Sequence, residues 1–392
     1  MSLPDQLPYF PRPDLLASIL RLLLSGTNVT LFAPRRHGKT QFVRNELLPS
    51  LNEDGWFAAR VDLWRNRDNP VLGLVEGLEA VAQASQPKRS ILSTPLDLKS
   101  IRTTFKTPGV DIEGRWVPAT GAVFAPQATM ANRVADALHV IAERGSHALI
   151  ALDEFQALAV PGAEDFVASL RTVLQDLEGS LSVIFTGSSR AGLNRLFQRA
   201  KAPLFRSAET VTLPNLGDDF VDSRADYLAD IASLAVDRDQ LKLLYPRLCY
   251  TPLFLNQLVR GMLVSGDTDV PRGFQRWLAR KRDGEYADLI YDLSDLEFAV
   301  VVRLATGAEH SVYTAEARQA MGEFMAATRP PEVSKVQTAI RKLTNGGIVD
   351  PTGAKGAYEI ADQGFQIVLR EPQALGPASA NTDSDEGDHE IV

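Results

Sequence analysis

Asn28-Val29-Thr30-Leu31-Phe32-Ala33-Pro34-Arg35-Arg36-His37-Gly38-Lys39-Thr40-Gln41 runs from a short β-rich stretch, through a turn, into a helix-like segment that reaches about Leu51. A strand, a turn ending in Gly-Lys-Thr and a helix form the setting in which a chain wraps phosphate. Successive backbone N–H groups curl around the phosphate oxygens, and the helix N-terminus adds positive potential. Lys39 is placed to bridge the β- and γ-phosphates, and Thr40 to set its hydroxyl on Mg²⁺. Gly38 lets the backbone approach closely. Pro34, Arg35, Arg36, His37 and Gln41 complete the stretch expected to hold the nucleotide. Ala33 stands where the pattern has its first glycine, at the strand end, where phosphate is least close. Gly-Lys-Thr alone is common by chance; the flanking strand and helix make this one specific.

A second stretch strengthens the reading. Ala148-Leu149-Ile150-Ala151-Leu152-Asp153-Glu154 is an apolar run ending in two acids. A run apolar at every position suits a strand buried on both faces. Asp153 is placed to hold Mg²⁺ through its waters, and Glu154 to polarise a water for in-line attack on the γ-phosphate. A third strand, Val183-Ile184-Phe185-Thr186, ends in Gly187-Ser188-Ser189. Its carboxyl end should lie beside that of the Asp153 strand. Ser188, then Thr186, is the hydroxyl expected to meet the attacking water or the γ-phosphate. Gly-Ser-Ser reads equally well as a turn.

Outward from these motifs, strands and helices alternate. Trp56–Leu63, His147–Leu152, Leu181–Thr186 and Glu209–Leu213 read as strands, with helical spacing in Pro70–Ala84, Met130–Arg144 and Asp165–Leu177. Alternation of this kind predicts a parallel sheet covered by helices. Residues 1–214 are thus expected to form an α/β P-loop NTPase domain, a parallel sheet sandwiched by helices. Residues 85–127, rich in Pro, Thr, Gly and Ser, read as an insertion with β-type runs at Ile101–Phe105 and Gly114–Val117. Residues 215–293 read as a helical lid, including one long helix over Phe274–Leu293. Residues 294–370 give three helices and a small hairpin, the order of a winged helix. Residues 371–392 read as a disordered acidic tail.

Arg35-Arg36-x-Gly38-Lys39-Thr40, the Leu-Asp153-Glu154-Phe155-Gln156 run and Phe185-Thr-Gly-Ser-Ser resemble bacterial and archaeal ATPases of the AAA+/STAND type. The resemblance covers about Tyr9 to Leu369. It implies an ATPase domain, a lid and a C-terminal winged helix, with ATP and Mg²⁺ as cofactors and a change of shape on hydrolysis. Tyr9-Phe10-Pro11-Arg12-Pro13-Asp14 is similar to the family's lead-in near the adenine, loosened by Pro13. Arg206 sits where such proteins carry an arginine finger for a neighbouring subunit's γ-phosphate; Arg195 and Arg199 are rivals. Tyr250-Thr251-Pro252 keeps the proline of the family's Gly-x-Pro and replaces its glycine. The alternative to a turning-over ATPase is a nucleotide-dependent switch or scaffold in a mobile-element or defence system. The sequence has no Asn-Lys-x-Asp guanine signature, which with the resemblance favours ATP over GTP.

Charge bears on partners. Of 392 residues, 41 are Lys or Arg and 49 Asp or Glu, for a net of −8. Six of the acids lie from Glu371 onward, where there is no Lys or Arg, so residues 1–370 carry −2. Local patterns therefore decide. DNA could meet the helix carrying Lys335, Arg341 and Lys342, with Lys355 in the wing, or a lid patch of Arg276, Arg280, Lys281 and Arg282 beside Arg272. A protein partner or a second copy of the chain is the other expectation. Five scattered histidines with no metal-ligand spacing argue against a zinc enzyme. Cys249 is the single cysteine, which excludes an internal disulfide and fits a reducing compartment. Leu15–Leu24 is too short to span a bilayer. The expected location is the cytoplasm, with no membrane partner.

Overall fold

Five strands carry the motifs: β1 (Val29–Phe32), β2 (Phe57–Asp62), β3 (Ala148–Asp153), β4 (Leu181–Gly187) and β5 (Glu209–Thr212). They lie in one sheet in the order β2-β3-β4-β1-β5, and each adjacent pair is parallel. The computed structural model describes residues 7–66, 68–85, 127–199, 201–307, 311–352 and 356–371. The expected strands of the 85–127 insertion, Lys355 and the tail beyond Glu371 lie outside the described residues. The chain divides into two compact units. One runs to Phe220 and includes Thr251–Leu253; the other holds Val221–Tyr250 and the chain from Phe254 onward.

In the first unit, β3 and β4 are buried at every position, as continuous apolar runs in a covered parallel sheet should be. Side chains alternate between two cores. On one face Val29, Leu31, Ala58, Leu149, Ala151 and Ile184 pack with Ile19 of helix Pro13–Leu24 and with Phe42, Leu47 and Leu51. On the other, Ala59, Val61, Ile150, Leu152, Val183 and Phe185 pack with helices Pro70–Ser85, Gln127–Ala142 and Glu164–Asp176. The helix after the phosphate-type turn runs Lys39–Phe42, passes through a π turn at Val43–Leu47 and ends as Leu48–Glu53. Register places Leu31 opposite Thr186 and Asp62 opposite Asp153. β4 therefore separates the strand that leads to Lys39 from the strand that ends in Asp153.

Helix Arg190–Phe197 had no counterpart in the sequence reading. Ser189 caps it, its hydroxyl accepting from the Gly192 N–H at 3.1 Å.

The second unit begins with helices that include Arg238–Leu244, Pro252–Ser265 and Val270–Arg280, the last two packed through Phe254, Phe274 and Trp277. The single helix expected over Phe274–Leu293 is broken. A π turn at Lys281–Glu285 follows Arg280, and a separate helix runs Ala287–Asp292. The break falls at Tyr286, whose φ of −115° leaves the helical range between the π turn and the next helix. Then come Asp295–Thr306, Ala315–Phe324 and Val333–Asn345, followed by an antiparallel hairpin of β6 (Val349–Pro351) and β7 (Tyr358–Ile360). This is the expected winged helix. A further helix, Gln363–Arg370, closes it, capped by Asp362.

Candidate nucleotide site

Gly38 is the residue that turns the chain into the helix. It has φ 91° and occupies the cap position, a left-handed conformation that an L side chain resists. Arg36, at φ 68°, gives the loop a second left-handed residue. The loop curls onto its own lysine. Lys39 is buried, and its Nζ donates to the Ala33 carbonyl at 2.8 Å and the Pro34 carbonyl at 3.2 Å. Burial pushes the Lys39 ammonium below the usual lysine range, while Glu154 and Asp153 pull it back. Arg12, also buried, steadies the loop from below. Its Nη2 donates to the His37 carbonyl at 3.1 Å and its backbone N–H to the Glu46 carboxylate. Tyr9 donates to the same carboxylate. His37 Nδ1 lies 3.0 Å from the Arg35 carbonyl, Gln41 accepts from Asn45, and the Arg35 guanidinium sits 4.8 Å from the Trp64 ring centre.

Asp153 is the hub. Its Oδ2 accepts from the Thr40 hydroxyl at 2.8 Å, which joins the two residues read as metal ligands. The same oxygen accepts from Arg60 Nη1 at 2.9 Å. Its Oδ1 accepts from the Thr186 hydroxyl and from the Glu154 N–H. A buried carboxylate needs such partners, and four donors match the capacity of two oxygens. Alternation explains the meeting. Ala58, Arg60 and Asp62 share the β2 face that Ala151 and Asp153 share on β3, and Thr186 follows Ile184 on β4.

The side chain of Glu154 stands apart from that hub. It is held at φ 56° just past the end of β3. Its Oε2 accepts from the Ser188 hydroxyl at 2.8 Å and from Gln156 Nε2, which itself lies 3.3 Å from Ser188. The Gly-Ser-Ser stretch thus divides: Ser188 serves Glu154 and Ser189 caps a helix. Thr40 and Asp153 offer one hydroxyl and one carboxylate, a hard oxygen pair suited to Mg²⁺ that keeps waters and phosphate oxygens as its other ligands. Among the described residues there is no cluster of three His, Cys, Asp or Glu that could cage a metal by itself.

Two expected residues lie elsewhere. Arg206 precedes β5 at the amino edge of the sheet, opposite the phosphate-type loop, and packs over the Phe205 ring. A cavity of about 580 Å³ opens at that edge, with Arg206, Arg171 and Glu178 in its wall. Arg195 reaches the Ala159 carbonyl. The rest of the motif set converges. Arg60 and Gln156 are the residues missed as participants. Parity along β2 puts Arg60 on the same face as Asp62, but only the register of β2 against β3 shows that this face meets Asp153.

In the second unit the lid patch is not a row of free cations. Arg272 and Arg276 pair with Asp267, at 3.5 and 2.6 Å, and Arg272 also with Asp269. Lys281 is buried against Glu285, Phe254 and Trp277, and Arg282 pairs with Asp283. The acids interleaved in the same segment account for this. On helix Val333–Asn345, Val336, Ala339, Ile340 and Leu343 face the core while Lys335 and Arg341 are exposed. Lys342 is used locally: its Nζ lies 2.9 Å from Glu297, the acid of the Ser294 capping box. Among the described residues no helix is long and apolar enough to cross a membrane.

No protein-family model matches the chain, and no curated protein matches it. Solved structures do. The chain is similar to the Walker-type ATPase PABY2304 of Pyrococcus abyssi, with 18% identity over 94% of this chain and 99% of that one, at a TM-score of 0.55. It is similar to the ORC2 protein of Aeropyrum pernix in its ADP form, with 14% identity over 95% and 97% of the two chains, at a TM-score of 0.51. At such identities the likeness is one of fold. The chain shares with them an α/β P-loop fold, a parallel sheet covered by helices, followed by helices and a winged helix, and the resemblance read from its motifs holds at the level of fold.

Proposed function

We propose that this chain binds Mg²⁺-ATP and hydrolyses it, using the cycle to change its shape and act on DNA. The observation that carries the reading is the pair of linked clusters at one sheet edge: Lys39, Thr40 and Asp153 on one side, Glu154 with Ser188 and Gln156 on the other. Lys39 would exchange two loop carbonyls for phosphate oxygens. Thr40 and Asp153 would hold Mg²⁺, which when bound neutralises charge on the β- and γ-phosphates. Glu154 would take the proton of the attacking water, with Ser188 and Gln156 fixing its carboxylate. Arg206, at the far edge, would serve a neighbouring copy's γ-phosphate rather than its own. For DNA, exposed Lys335 and Arg341 are better placed than Arg272, Arg276, Lys281 and Arg282, whose charge is matched by neighbouring acids.

The test is a paired one. Lys39→Ala should weaken ATP binding by about a hundredfold, the loss of two charge-assisted hydrogen bonds. Glu154→Gln should bind ATP as before and lose turnover by about a hundredfold or more. Unchanged binding in the first variant would remove the nucleotide site, and persistent turnover in the second would remove Glu154 as base. Binding without turnover in the wild type, with and without DNA, would instead favour the nucleotide-dependent switch.

A further inference from the structure

Asp153 Oδ2 has room for two donors, and both places are taken, by Thr40 at 2.8 Å and Arg60 at 2.9 Å. Arg60 has a second carboxylate within reach, since the same Nη1 lies 3.3 Å from Asp62 Oδ2. The two acids differ in setting. The Asp153 side chain is 3% exposed and that of Asp62 34%. We propose that Arg60 is a built-in counter-ion that competes with Mg²⁺ for Asp153 and swings to Asp62 when the metal arrives with nucleotide. The inference rests on the nucleotide reading above and adds a control on its metal.

The physics requires some such exchange. A buried carboxylate without a cation is strongly unfavourable, so Arg60 keeps Asp153 neutralised before nucleotide binds. A divalent cation drawn to Asp153 and Thr40 would repel a guanidinium on the same oxygen. Removing Arg60 from Asp153 leaves no cation stranded, because Asp62 already shares it. Asp62 is held for that role: its Oδ1 accepts from the Trp64 N–H at 3.0 Å, which leaves Oδ2 facing Arg60. The metal must therefore displace a resident charge, and Mg²⁺ should tighten nucleotide binding less than the open site would allow.

The experiment measures the affinity of a fluorescent ADP with excess Mg²⁺ and with EDTA, taking the ratio as the metal coupling. ADP is used so that turnover plays no part. Arg60→Gln should raise the coupling by about tenfold over wild type. Asp62→Asn, which preserves the bond from Trp64 and removes the alternative anion, should lower it. The second variant alters a partly exposed residue, so it reports even if Arg60→Gln fails to fold. Equal coupling in the wild type and the folded variants, with ADP still bound, would overturn the competition alone. No ADP binding by the wild type in either condition would overturn the nucleotide reading, and this inference with it.

Discussion

At the carboxyl edge of the sheet, Lys39 and Arg60 are cations drawn inward, each fixed by oxygens at hydrogen-bond distance. On helix Val333–Asn345, Lys335 and Arg341 are cations left in water, on the face away from Val336 and Ile340. The first arrangement suits chemistry, which needs groups aimed before the substrate comes. The second suits attraction to a polyanion, which needs charge and not aim. Lys342 shows that a basic residue on the same helix can leave the second class, since its charge is already met by Glu297.

The contrast can be broken where it is strongest, at Lys39. Burial lowers its affinity for a proton in the free chain, and phosphates beside it would raise that affinity again. Between the two values, binding takes up a proton, so ATP affinity should fall with rising pH by about tenfold per unit. Below the lowered value it should be flat. The measurement belongs at alkaline pH, above the range where phosphate itself titrates near about 6. Affinity independent of pH up to the ordinary lysine range would mean that burial does not hold Lys39 below that range in the free chain.

A smaller effect is expected at Thr186. Thr186→Val keeps the shape of the side chain and removes one donor from the Asp153 carboxylate. The loss should be about 2 kcal/mol, the scale of a hydrogen bond to a charged group. Thermal unfolding of the nucleotide-free chain measures it. No shift would show that Asp153 does not depend on inward-aimed partners. The smallest change belongs to the surface. Lys335→Ala and Arg341→Ala should each reduce the slope of DNA affinity against salt by about one and leave nucleotide affinity unchanged. A fall in nucleotide affinity would mean that the exposed cations do more than attract.

Much of the site could be read in the sequence, because its parts lie at strand ends. Gly38, Lys39 and Thr40 follow an apolar run, and Asp153 and Glu154 end another, so a parallel sheet alone brings them to one edge. The helical breaks were harder. Asp283 and Gly284 weaken a helix without forbidding one, and the chain leaves the helix only at Tyr286, a residue with no breaker signal of its own. Helix Arg190–Phe197 is short, and its Ser189 cap looks like part of a turn. Arg60 escaped notice for another reason. Its importance comes from register across strands, Asp62 against Asp153, and a pattern read along one strand does not contain that. The lid patch misled in the opposite direction: its arginines were visible, while their pairing with Asp267 and Asp269 is a matter of how the chain folds back at the start of helix Val270–Arg280.

The placement of β4 between β1 and β3 also works as a ruler. Neighbouring strands stand about 4.8 Å apart, so the backbones that launch Lys39 and Asp153 are separated by about 10 Å. That gap is set by main-chain hydrogen bonds and is indifferent to side-chain identity. Side chains reaching in from both banks close it, and Thr186 rises from the strand between as its floor. Sequence change on the flanking helices can therefore alter what the edge binds or how fast it reacts while the span between the two banks stays the same.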